Sequence, residues 1–156
     1  MVMNTWFSVL VMYDKMHEDG LLKKAKELYL IDALSFTEAE ARALGEMAPY
    51  VDKGGELKVT QMKIEGIAEI FNTEDEQADK WYRVKAMFVS LDEKKMKEKK
   101  TAQVCLVKGR TTEDATERFH EGMKGSLASY EIHTVSETKF MDVFFYDLAK
   151  ENDETR

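Results

Sequence analysis

Trp6-Phe7-Ser8-Val9 and Trp81-Tyr82-Arg83-Val84 stand 75 residues apart, and reading them as two copies of one segment decides the fold. Around the first, residues 5 to 13 are rich in aromatic and branched side chains and hold neither Gly nor Pro, the pattern of a β-strand. Phe7, Val9, Val11 and Tyr13 then share one face, as Tyr82, Val84, Ala86 and Phe88 do in the second copy.

Working outward, the polar stretch Asp14 to Gly20 predicts a hairpin connection, with a second strand returning over Lys24 to Leu34. Ser35-Phe36-Thr37-Glu38 has the spacing of a capping box and predicts a helix, with Phe36, Ala39, Ala43, Leu44 and Met47 on its apolar side. Pro49 and Gly54-Gly55 end that helix, and a third strand follows over Glu56 to Glu65, then a short apolar tail, Ile67 to Phe71. The second copy repeats the order. Its strand from Trp81 leads to a lysine-rich tip over Leu91 to Lys100 and a return over Thr101 to Gly109. Thr111 to Asp114 takes the capping position, Ala115, Phe119, Met123 and Leu127 form the helix stripe, and Tyr130 to Glu137 is the third strand. Met141 to Phe144 echoes Ala68 to Phe71.

The spacing between copies slips where a true repeat should slip. It is 75 residues for Trp6, Val9 and Tyr13, 76 for Leu30, Ala39, Arg42 and Met47, and 73 for Ile70 and Phe71. The changes fall in the hairpin tip and in the loop after the helix, where length variation costs least. The expected architecture is α+β: a tandem β-β-α-β duplication, antiparallel sheets each with one helix on a face, related by a pseudo-twofold. Residues 1–71 form the first repeat, 72–79 an acidic connector in which Thr73 and Glu76 could cap a helical turn, 80–147 the second repeat, and 148–156 a tail. Each repeat has a thin core, which favours one compact domain.

Composition narrows the function classes. The 156 residues carry a net charge of −7, but residues 1–79 hold 16 acidic against 8 basic side chains and residues 80–156 hold 14 against 15. The first half is the acidic one. A single cysteine, Cys105, lies in an apolar strand, so no internal disulfide forms and a reducing, cytoplasmic setting fits. The start of the chain has no basic flank and its apolar run is too short to span a bilayer, so neither export nor membrane insertion is expected.

The two Trp-[Phe/Tyr]-x-Val segments, Leu34 to Ala41, the Asp92-Glu93-Lys94 turn and Met141-Asp142-Val143-Phe144 together resemble an uncharacterised family, a domain of unknown function. That family is found in Bacteroidetes and in their phages and mobile elements. The resemblance covers nearly the whole chain and brings no catalytic motif; it implies a phage or prophage setting inside a bacterial cell.

Chemistry-bearing motifs are sparse. There is no phosphate-binding glycine loop, and Gly122-x-x-Gly125 reads as a helix C-terminal signal. His17, His120 and His133 have no partners at ligand spacing, His17-Glu18-Asp19 reads as a solvated turn, and a Cys105–His133 pair lacks the electropositive setting that activates a thiol. No catalytic residue, metal or cofactor is assigned.

Two surfaces stand out. Lys94, Lys95, Lys97, Lys99 and Lys100, beside Arg83, Lys85 and Trp81, could track a phosphate backbone and stack a base, or could simply blunt a sheet edge. Trp6, Ser8, Leu10 and Met12 make an outer strand face greasier than its copy, fit for an internal core or a protein interface. The leading expectation is a non-enzymatic binding protein acting through a protein partner; a specific version is a modulator or inhibitor of a host system that uses the acidic first half. A single-strand nucleic-acid-binding accessory protein is the alternative, and a small-ligand or nucleotide binder, or an enzyme, with its site at the repeat seam is a third.

Overall fold

A computed structural model of the chain describes residues 5–52 and 54–145. The tail expected over 148–156 and the first four residues lie outside it. The order is β1 (Trp6–Met16), β2 (Leu22–Asp32), α1 (Phe36–Met47), a 3-10 turn (Ala48–Tyr50), β3 (Leu57–Glu65) and β4 (Glu69–Phe71). Then come β5 (Lys80–Asp92), β6 (Lys97–Gly109), α2 (Thr112–Met123), β7 (Ser129–Glu137) and β8 (Phe140–Phe144). The fold is α+β, with the β-β-α-β pattern present twice.

The duplication extends to backbone irregularities. β1 and β3 pair antiparallel with a bulge between Leu10 and Val11, and β5 and β7 pair antiparallel with a bulge between Lys85 and Ala86, the matching position 75 residues on. A bulge inserts one unpaired residue and bends the strand, so its recurrence at one register is a shared feature of both sheets. The hairpins match too, with Trp6 opposite Asp32 and Trp81 opposite Lys108.

The short apolar tails are strands, and each adds to the sheet of the other copy. β4, which ends the first repeat, pairs parallel with β6, setting Phe71 beside Val107. β8, which ends the second, pairs parallel with β2, setting Phe144 beside Ile31. The sheets are therefore β3-β1-β2-β8 and β4-β6-β5-β7. The chain divides into two compact units, residues 1–65 with 140–156 and residues 66–139.

Each unit packs its helix on one sheet face. In the first, Phe7, Val9, Val11, Tyr29 and Ile31 meet the small Ala39 and Ala43 of α1. In the second, Tyr82, Val84, Cys105 and Val107 meet Ala115 and Phe119 of α2. Bulk is traded between layers: Tyr29 with Ala43 in one unit, Cys105 with Phe119 in the other, the exchange that keeps a core filled.

Both helices start as the spacing predicts. Ser35 Oγ accepts from Glu38 N at 3.1 Å, and Thr111 Oγ1 from Asp114 N at 3.1 Å. Glu38 accepts in turn from Arg42 Nε at 2.9 Å, and Asp114 from Arg118 Nε at 2.9 Å, the same i, i+4 pair in both copies. Gly125 has φ +91°, the left-handed conformation that follows a helix end.

Three local expectations are corrected. Leu127, placed on the α2 stripe, lies beyond the helix and is fully exposed, because α2 stops at Met123. The lysine-rich tip is shorter than expected, since β5 runs to Asp92 and β6 begins at Lys97. Thr73 caps no helix: it accepts from Asp75 N at 3.2 Å within a turn.

Candidate functional site

The first unit opens into a cleft of about 450 Å³ between the C-terminal end of β1, the middle of β2, the C-terminus of α1 and β8. Its floor is a carboxylate held by two phenols. Tyr13 and Tyr29, on adjacent strands, both donate to Glu27 Oε1, Tyr29 at 3.4 Å, and Lys15 Nζ stands 3.9 Å from Oε2. Strand alternation puts Tyr13, Lys15, Glu27 and Tyr29 on one face, so the register of the β1–β2 hairpin builds the cluster. Burial, then the hydrogen bond to Glu27 and its charge, push the Tyr13 phenol up to about 12. Tyr29 is raised as well, by burial first and the Glu27 charge next. Neither phenol ionises at neutral pH, and both remain donors.

Phe144 of β8 stacks on Tyr29, ring centroids 5.3 Å apart, and makes an aromatic wall. Glu46, Asp52 and Asp142 add carboxylates around the opening, and Tyr50 stands at the rim, 74% exposed. Lys15 is the one cationic lining residue among those described. The cleft is an acidic, aromatic-walled cavity.

The second unit is an internal control. The positions matching Tyr13, Lys15, Glu27 and Tyr29 hold Phe88, Ser90, Gln103 and Cys105. In place of the polar cluster, Phe88, Phe119 and Tyr130 pack ring against ring, with Phe119 and Tyr130 5.3 Å apart. One scaffold thus carries the carboxylate and its phenols in only one of its two copies.

The sequence pattern of the family described as Domain of unknown function (DUF4494) matches residues 5–146. The chain belongs to this family. No curated protein and no solved structure matches it. The DUF4494 match spans both β-β-α-β copies together with the exchanged strands, so the cleft lies wholly within the family's extent.

The residues singled out by sequence fall elsewhere. Trp81, expected to be an exposed stacking platform, is 2% exposed with Lys108 Nζ 5.7 Å over its ring. The basic side chains divide between faces. Arg83, Lys85 and Lys100 lie on the side of Trp81, whereas Lys97 and Lys99, opposite Asp92 and Ser90, lie on the helix side. Lys94 and Lys95 sit in the exposed turn. On the first strand Trp6 and Ser8 are buried, with Ser8 Oγ donating to Lys63 O at 3.4 Å, and Leu10 and Met12 are half-buried. Trp6 and Ser8 present no surface to a partner.

Two other titratable groups are held inside the second unit. Asp75, in the connector, has its Oδ2 2.6 Å from the Arg110 guanidinium and 2.8 Å from that of Arg118, while Oδ1 accepts from Gln77 N at 3.0 Å. The Arg110 hydrogen bond, then that from Gln77, lowers its carboxyl to about 2. Cys105 is buried, and burial pushes its thiol up to about 11. Among the described residues no three His, Cys, Asp or Glu are grouped as metal ligands, and no helix is long and apolar enough to cross a membrane.

Sequence reasoning missed the cleft. A signal was present: comparing the copies shows Tyr13, Glu27 and Tyr29 against Phe88, Gln103 and Cys105, a polar gain at positions patterned as core.

Proposed function

We propose that the chain is a non-enzymatic binding protein that engages a protein partner through the acidic cleft of its first unit. The observation that carries this reading is Glu27, a carboxylate fixed by Tyr13 and Tyr29 at the floor of a cavity, where the matching positions of the second copy hold Gln103, Phe88 and Cys105. Buried polar clusters cost stability unless fully satisfied, so a cluster present in one copy and absent from the other is more simply explained by use than by folding. The charge of the first unit agrees, with 16 acidic against 10 basic side chains over residues 1–65 and 140–156, because a negative field steers and selects a basic partner. The family resemblance implies a phage or prophage setting inside a bacterial cell, and the role proposed there is to modulate or inhibit a host system.

Immobilised full-length protein, exposed to lysate of a Bacteroidetes host, tests the reading when compared with the double variant Asp52→Lys, Asp142→Lys. A protein retained by the wild type and lost by the variant is expected, with retention unchanged by Lys94→Ala, Lys95→Ala. Identical retention by the wild type and the double variant would remove the cleft from the function.

A further inference from the structure

The cleft also carries information about the group that enters it. Glu27 is largely but not fully buried, its side chain 10% exposed, and its two oxygens are treated unequally. Oε1 receives both phenols. Oε2 faces Lys15 at 3.9 Å, an ion-pair distance beyond hydrogen-bond reach, and accepts no hydrogen bond among the described residues. A carboxylate offers about four lone-pair sites, so Oε2, on the wall of the cleft, keeps capacity for a further donor. Lys15 is a loose occupant. Its side chain is 49% exposed, near the end of β1, on a flexible stem.

Resting on the reading above, we propose that the cleft is a receptor for one cationic side chain, lysine or arginine, of the protein partner, whose charged end displaces Lys15 and hydrogen-bonds Glu27 Oε2. Three features of the cavity fit that occupant. Asp142 and Asp52 near the opening attract a cation and repel an acidic chain. Met141 and Phe144 offer apolar surface to an aliphatic stem, while the rim ring of Tyr50 can lie against a passing ammonium or guanidinium. A bare divalent metal fits less well, since it takes about six or more oxygens and the described residues hold no such group. Lys15 acts as a built-in competitor that keeps Glu27 paired when the cleft is empty.

The test is an NMR titration of the ¹⁵N-labelled full chain with blocked lysine and arginine (N-acetyl, N-methylamide), with blocked norleucine as the neutral analogue and spermidine as a free amine. The cationic residues should shift amides of residues 13–16, 27–29 and 141–144 saturably, and norleucine should not. Glu27→Gln, which keeps an acceptor for the phenols, should weaken binding about ten-fold or more, the scale of a charged hydrogen bond. Lys15→Ala should tighten binding. Equal shifts from norleucine, no change in Glu27→Gln, weaker binding in Lys15→Ala, or binding by spermidine alone would each overturn the proposal. Should no cation bind while Asp52→Lys, Asp142→Lys still loses the captured protein, the function stands and this inference falls; should cations bind with no protein lost, the reverse holds.

Discussion

A β-carbon placed on Gly122 of α2 would stand 2.5 Å from the ring of Phe71 in β4. The ring packs edge-on against Phe119 from the same helix, centroids 5.6 Å apart, and so anchors the exchanged strand to the second unit. Gly122 is therefore required by close approach. A β-carbon on Gly45, in the last turn of α1, would meet nothing within 4 Å.

Substitution at these two helix glycines should have opposite signs. Gly122→Val is expected to lower stability by about 1–3 kcal/mol through overpacking against Phe71. Gly45→Ala should raise it by about 0.5 kcal/mol, part of the helix-interior propensity gain, at an uncrowded site in the last turn. Urea denaturation midpoints of the two variants decide this, and equal shifts would contradict the packing described.

Asp75 should make the protein acid-sensitive in a defined window. Its folded pKa of about 2 lies below the ordinary 3.8, so the folded state binds its proton less readily than the unfolded chain does. Its stabilising contribution is complete above about pH 4 and disappears as pH falls towards 2. Asp75→Asn should therefore be less stable than the wild type at pH 7 and should lose less stability between pH 4 and 2. Denaturation curves at pH 7, 4 and 2.5 provide the comparison.

Cys105 should resist thiol reagents while the chain is folded. With its thiol raised to about 11 and its side chain buried, the thiolate fraction at pH 8 is roughly a hundred-fold below that of a free cysteine, before access is considered. Labelling with an aromatic disulfide reagent should be slow in buffer and fast in denaturant. Rapid stoichiometric labelling of native protein would show that the β4–β6 pair opens readily.

Single-stranded oligonucleotides should not be retained by the lysine-rich hairpin. Trp81 is buried, and the lysines of β6 face both ways, with Asp92, Glu93 and Glu98 among them. Electrophoretic mobility at about 50 mM salt, where phosphate contacts are strong, should show no complex. A complex weakened by salt and abolished by neutralising Lys94 to Lys100 would restore that reading.

Much of the fold was legible because local chemistry sets it. Period-2 alternation in Phe7 to Tyr13 and Tyr82 to Phe88 fixed the core faces, Ser35 and Thr111 fixed the helix starts, and the repeat offsets located the loops. Trp81 was misjudged as exposed because alternation says which residues share a face and nothing about whether that face is covered. The cleft stayed hidden for a related reason: Tyr13, Glu27, Tyr29 and Phe144 come from three strands, and only pairing brings them together.

By itself the sequence determined that this protein is one β-β-α-β unit made twice, down to matching offsets around both hairpins. The tertiary structure alone decided where the last strand of each copy goes. β4 and β8 have the same short apolar pattern, and β2 and β6 offer them equivalent parallel registers, Asp142 beside Tyr29 in one and Glu69 beside Cys105 in the other. Side-chain pattern cannot choose between two nearly identical edges. The exchange places Phe144 rather than Phe71 against Tyr29, and completes the wall of the cleft with a residue from the far end of the chain.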